Sequence, residues 1–163
     1  MTRGLALAAV VVVAVAAGCS AHDVRPAAWV QRAAAQSVTA DTLTARGDLE
    51  AARATLVSLV DAPVASGVDA NDRRAVLMDA YARLAEIEVG RGQAAAARAW
   101  VDRGLALGAR TDLFTANLLL AQGHALEAGG EAPRAAASYH RALMINEALL
   151  TAALGGRAGE PAR

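Results

Sequence analysis

The chain has 163 residues, with 16 cationic and 16 anionic side chains, so its formal net charge is zero and lysine is absent altogether. Without a cationic surplus there is no electrostatic basis for gripping a phosphate backbone, which excludes nucleic acid as a favoured partner. Alanine, the strongest helix former, supplies 45 residues, and only Trp29, Tyr81, Trp100, Phe114 and Tyr139 are aromatic, so the core is expected to be alanine and leucine in closely approaching helices.

At the N-terminus Arg3 precedes an apolar run from Leu5 to Ala17 that ends on small residues, the pattern of a secretory signal peptide. That run has 13 residues, well short of the roughly 20 that cross a bilayer as a helix. It closes with Val15-Ala16-Ala17-Gly18-Cys19, which resembles the lipobox of bacterial lipoproteins. The resemblance implies cleavage after Gly18, acylation of Cys19 with chains such as palmitate, and a lipid anchor in the bacterial cell envelope. Ser20, rather than aspartate, follows the cysteine, which implies the outer membrane with the protein facing the periplasm. As the sole cysteine, Cys19 has no intramolecular disulfide partner, and lipidation accounts for its thiol. The expected organisation is a signal peptide over 1–18, a tether over 19–25, a helical domain over 26–154 and a disordered tail over 155–163.

Pro26 suits a first helical turn, and helical spacing runs on to Arg46, where Gly47-Asp48 breaks it. Leu49 to Val60 forms a second helix with Leu49, Ala52, Leu56 and Leu59 on one stripe. Pro63 and Gly67 make Asp61 to Asp69 a loop. Asp69 or Asn71 caps a third helix that runs to Val89. Gly90-Arg91-Gly92 is a turn, Gln93 to Leu107 is helical, and Gly108 to Thr111 is a second turn with Thr111 as N-cap. Asp112 to Ala128 is the fifth helix, Gly129-Gly130 turns the chain, and Glu131 to about Leu154 is a long last helix. No segment alternates with period two for long enough to form a sheet.

The six helices fall into three pairs that repeat. Gly47, Gly92 and Gly130 each stand at the turn within a pair. Five residues after each comes an alanine (Ala52, Ala97, Ala135) and seven residues before each comes Ala40, Ala85 or Gly123. Nine residues on stands a larger side chain: Leu56, Val101 or Tyr139. Small residues facing each other let two antiparallel helices close together, and the turn glycines allow a left-handed backbone. This pattern resembles the tetratricopeptide repeat (TPR), a helix pair of about 34 residues. It covers roughly Ala33 to Asn146 and is clearest in the third copy, at Gly123, Gly130, Ala135, Tyr139, Ala142 and Leu143. The second copy matches at Tyr81, Leu84, Ala85, Gly92, Ala97 and Leu105, and the first at Ala40, Leu43, Gly47 and Ala52. The glycines are 45 and 38 residues apart, and the surplus over the family period falls in the two loops. The expected fold is all-α: three antiparallel helix pairs stacked as a short TPR-like solenoid, with a long C-terminal helix.

The resemblance implies a function carried by a surface, because first helices of such pairs line a concave groove that holds a partner segment. Counting back from the glycines places Asp41 and Thr44 there from the first pair, Asp79, Ala82, Glu86 and Val89 from the second, and Asn117, Leu120, His124 and Glu127 from the third. An acidic lining with apolar patches favours a basic or neutral protein or peptide segment. Leu149, Leu150 and Leu154 on the last helix have no further repeat to cover them and form a second contact surface, open to the partner or to self-association. Catalysis has no support from spacing. His22, His124 and His140 are far apart, no phosphate-binding glycine loop follows a strand, and His124 with Glu127 is an ordinary helical pair. No cofactor or metal is expected. The leading expectation is a lipid-anchored interaction scaffold that is not an enzyme, accessory to an envelope complex of pilus or secretion type. The alternative is a small helical hydrolase or a lipoprotein binding a cell-wall ligand.

Overall fold

The computed structural model describes residues 26–157, and among them every regular element is a helix. Cys19, the expected signal peptide and tether, and residues 158–163 lie outside the described residues. The helices are α1 Pro26–Ala45, α2 Leu49–Asp61, α3 Ala70–Gly90, α4 Ala94–Leu105, α5 Leu113–Ala128 and α6 Ala132–Arg157. Some boundaries depart from expectation, and one open choice is decided. Asp112, not Thr111, caps α5: its backbone is extended and its carboxylate accepts from the Thr115 amide at 2.8 Å. Of the two candidates for the cap of α3, Asp69 takes the place, accepting from the amides of Asn71 and Asp72 at 2.7 and 3.4 Å. Residues 155–157, expected in the disordered tail, continue α6.

The turns within the pairs are one motif made three times. Gly47, Gly92 and Gly130 have φ of 80°, 74° and 79°. Each glycine amide donates to the carbonyl three residues back, at 2.9 Å in all three, and the next amide reaches five residues back, at 3.0, 2.8 and 2.8 Å. This Schellman arrangement satisfies carbonyls that a helix end leaves open and needs the left-handed backbone that glycine adopts freely. The sequence repeat is therefore a repeat of hydrogen bonding.

Helices of a pair pack on each other, and successive pairs are joined by α2 on α3 and α4 on α5. The first helices also touch in sequence, α1 on α3 and α3 on α5, whereas α2 does not reach α4, nor α4 reach α6. The first-helix layer is thus the inner side of the curve. All six small residues at the expected close approaches are buried: Ala40, Ala52, Ala85, Ala97, Gly123 and Ala135. At Gly123 a Cβ would lie 2.0 Å from the Tyr139 ring, and at Gly104 one would lie 2.6 Å from Leu118. Leu56, Leu84, Val101 and Leu118 then fill the joints between pairs at full burial, each worth roughly 1.5–3 kcal/mol relative to exposure.

Candidate interaction groove

Each first helix carries one stripe toward the inside of the curve. Along α3 it is Ala75, Asp79, Ala82, Glu86 and Gly90, steps of three and four residues that keep one face of a 3.6-residue helix in register, with Arg83 beside Ala82. α1 contributes Asp41 and Thr44 and α5 contributes Asn117, Leu120 and His124 on either side of it. Together they enclose a groove of about 440 Å³ floored by Leu49 and Leu56 of α2 and Ile87 of α3. Eight expected residues meet there: Asp41, Thr44, Asp79, Ala82, Glu86, Asn117, Leu120 and His124.

Val89 and Glu127 do not line it. Stepping from Ala82, the stripe continues at Glu86 and Gly90, while Val89 turns toward α4 and packs against the cluster of Ala85, Ala97 and Val101. Glu127 turns likewise toward α6, where its carboxylate accepts from the Tyr139 hydroxyl at 2.8 Å. Burial, then that hydrogen bond, push the Tyr139 phenol up to about 12. His124 therefore pairs across helices rather than with Glu127: its Nδ1 lies 2.7 Å from Glu86 Oε1.

The lining is less acidic than expected, because Arg83 stands in it. Its Nε donates to Asp79 Oδ2 at 2.7 Å and its Nη1 donates to Asp41 Oδ1, joining α1 to α3 across the groove. Burial works against the Arg83 charge, but the two aspartates outweigh it and hold the guanidinium protonated beyond its ordinary range. Three carboxylates, Asp41, Asp79 and Glu86, still stand against one guanidinium. A signal for the missed positions was present. Arg83 falls on the same helical face as Asp79 and Glu86, and the register that places Asp79 and Ala82 thirteen and ten residues before Gly92 places Ala34 and Ser37 before Gly47. Those two residues line a second hollow of about 310 Å³ at the other end of the groove, with Val30, Ala33, Val76 and Phe114.

The second expected surface lies elsewhere. α6 packs on α5 alone and supplies no groove residue. It has 26 residues against the 16 of α5, so about 15 Å of it outruns its support. Leu150 and Leu154 are exposed and Leu149 is half-buried, and Leu143 and Met144 extend the exposed apolar set.

Two further clusters emerge only on folding, both holding helices together. Glu88 is 1% exposed. It accepts from Arg53 Nε of α2 at 2.6 Å and from Arg91, while Trp100 Nε1 of α4 lies 3.5 Å away. Burial opposes its charge, but the arginines win and hold the carboxyl below its ordinary value. Arg74, 8% exposed, donates to the Gly108 carbonyl at 2.8 Å, to Asp112 at 2.7 Å and to Thr115 at 3.2 Å, tying α3 to the loop before α5. Among the described residues no three His, Cys, Asp or Glu side chains converge as a metal site, and no described helix is long and apolar enough to cross a membrane.

Compared with known proteins, the chain matches no family model, no curated protein and no solved structure.

Proposed function

We propose that this protein is a lipid-anchored interaction scaffold of a bacterial envelope, held through Cys19 on the periplasmic side of the outer membrane, whose concave groove docks a basic or neutral segment of a partner protein. The observation that carries the docking reading is the convergence of Asp41, Asp79, Glu86, Leu120 and His124 from three helices on one apolar-floored groove. A surface that mixes an apolar floor with a charged rim suits a protein segment: the floor supplies affinity, and the rim steers encounter and rejects like charge. The anchor reading rests on the Ala-Gly-Cys ending of the signal segment. A single acyl chain binds membranes only marginally, so stable anchoring needs more than one. An accessory role in assembling a larger envelope complex of pilus or secretion type fits a small anchored scaffold.

The docking reading is tested by photo-crosslinking in living cells from a reactive side chain placed at Leu120 in the groove or at the exposed Ala99 of α4. A discrete protein adduct is expected from Leu120, absent from Ala99, and lost in the Asp79→Arg/Glu86→Arg background but kept with Leu150→Glu. Loss only with Leu150→Glu moves the contact to α6, and an adduct indifferent to both variants removes the groove from the function. The anchor is tested separately. Labelled palmitate should enter the wild type and not Cys19→Ala, which should leave the outer-membrane fraction; equal labelling, or unchanged fractionation, overturns the anchor.

A further inference from the structure

We infer that the groove is built for an amphipathic α-helix that presents two apolar side chains about two turns apart with a lysine or arginine between them, an inference that rests on the docking reading above. The first observation is that the groove has two apolar compartments. One is floored by Leu49, Leu56 and Ile87 and walled by Leu120. The other is formed by Val30, Ala33, Val76 and Phe114. Asp79 borders both. On α1 and on α3 the residues lining the two compartments are centred about eight positions apart, or ~12 Å at the helical rise. Side chains at i and i+7 or i+8 of a helix lying along α3 span that distance on one face.

The second observation is what divides the compartments. Arg83 bridges Asp79 and Asp41 at this point, and each aspartate uses one carboxylate oxygen for it, Asp79 Oδ2 and Asp41 Oδ1. The other oxygen of each is left to accept. The divider therefore carries one negative charge in excess, and a cation midway between the two apolar anchors meets it.

The backbone of the occupant is decided by what the compartments lack. Most of the area lining them is apolar, so an extended strand pressed along them would lose water from amides and carbonyls that rim side chains such as Thr44 and Asn117 replace only in part. A helix bonds its own backbone and offers the groove side chains alone, the helix-in-groove mode of recognition. The same logic disfavours a second copy as occupant. The exposed face of α6 has Leu143 and Leu150 seven residues apart, but the residue between them on that face is Glu147, which the divider would repel.

The test uses three synthetic 18-residue peptides and the full-length protein in detergent, read by fluorescence anisotropy. Two peptides are alanine- and glutamine-based helices with leucine at i and i+7 that differ only at i+4, lysine or glutamate. The third is the lysine peptide with a central proline. The lysine helix should bind about tenfold more tightly than the glutamate helix at low salt, with the gap narrowing as salt is added. The proline peptide should lose binding. In Asp41→Asn/Asp79→Asn, where Arg83 remains as the divider's only charge, the order should reverse. Equal affinity of the lysine and glutamate helices, an unchanged order in the double variant, undiminished binding of the proline peptide, or no binding of either helix each overturns the inference. An adduct from Leu120 in cells alongside any of these results leaves docking intact and removes only the helix and its cation.

Discussion

Two arginine–carboxylate clusters lie five residues apart on α3 and have opposite fates. Arg83 reaches Asp79 and Asp41 on the inner face, where the Asp41 side chain is 59% exposed. Glu88 holds Arg53 and Arg91 at the joint between the first two pairs, where its side chain is 2% exposed. Five residues turn an α-helix by about 500°, so the two positions look in different directions from one rod. The difference teaches that the charge type of a pair says little about its role. In the joint, the Glu88 carboxylate has lost its water and depends on its arginines, which keep part of theirs, so the cluster sets how one pair sits on the next. On the open face, solvent still serves the aspartates, and their remaining oxygens are available to a ligand.

That contrast breaks most readily at Glu88. Glu88→Ala takes a shared partner from Arg53 and Arg91 and leaves a buried gap, and should cost about 2–3 kcal/mol, read as a lower denaturant midpoint with the slope unchanged. Acid should act through the same residue. Its folded carboxyl lies below the ordinary 4.5, so the stability it contributes is complete above that value and disappears as pH falls through the folded one. Asp112, held below its ordinary 3.8 by Arg74 and the Thr115 amide against the pull of burial, loses its contribution in the same direction at lower pH. Glu88→Gln should therefore be less stable than wild type at neutral pH, and its stability should fall less steeply as pH drops below 4.5. A wild-type profile as flat as the variant's would show that the joint does not depend on that charge.

A smaller effect is expected from packing within the second pair. Ala97 is fully buried beside Ala85 and Val101, so Ala97→Leu should cost about 1–3 kcal/mol. Ala99, exposed on the same helix, should accept leucine within about 0.5 kcal/mol. Equal melting temperatures for the two variants would mean that the helices of the pair do not meet where the repeat puts them. The smallest change in stability should come from the open cluster. Asp41→Asn/Asp79→Asn should shift unfolding by less than about 1 kcal/mol while reversing the charge preference of the groove. A large loss of stability would make the Arg83 cluster a structural clamp like that of Glu88 and end the contrast.

Much of the fold was legible because it is local. The positions of Gly47, Gly92 and Gly130 fix three Schellman turns, and a turn fixes which small residues face across it, so Ala40 with Ala52 and Ala85 with Ala97 follow from spacing alone. Most of the groove was legible for the same reason, since faces of first helices repeat with the glycines. The misses came where neighbours decide. Val89 and Glu127 sit at the edge of the inner face, and the packing of α4 and the hydroxyl of Tyr139 draw them off it. Arg83 was legible as a residue of that face, but its pairing with Asp41, 42 residues away, was not.

By itself the sequence determined the elements: an all-helical chain, three glycine turns, an acid-rich inner face and an unsupported C-terminal helix. Helix propensity, capping and 3.6-residue periodicity act within a few residues, and a sequence displays them directly. Only the tertiary structure decided which charges are spent and which remain. The long-range partners of Glu88, Arg74 and Arg83 lie 34 to 42 residues away along the chain. Whether a carboxylate braces a joint or waits in a groove depends on the water left to it after those helices meet, a quantity set by packing and not by order along the chain.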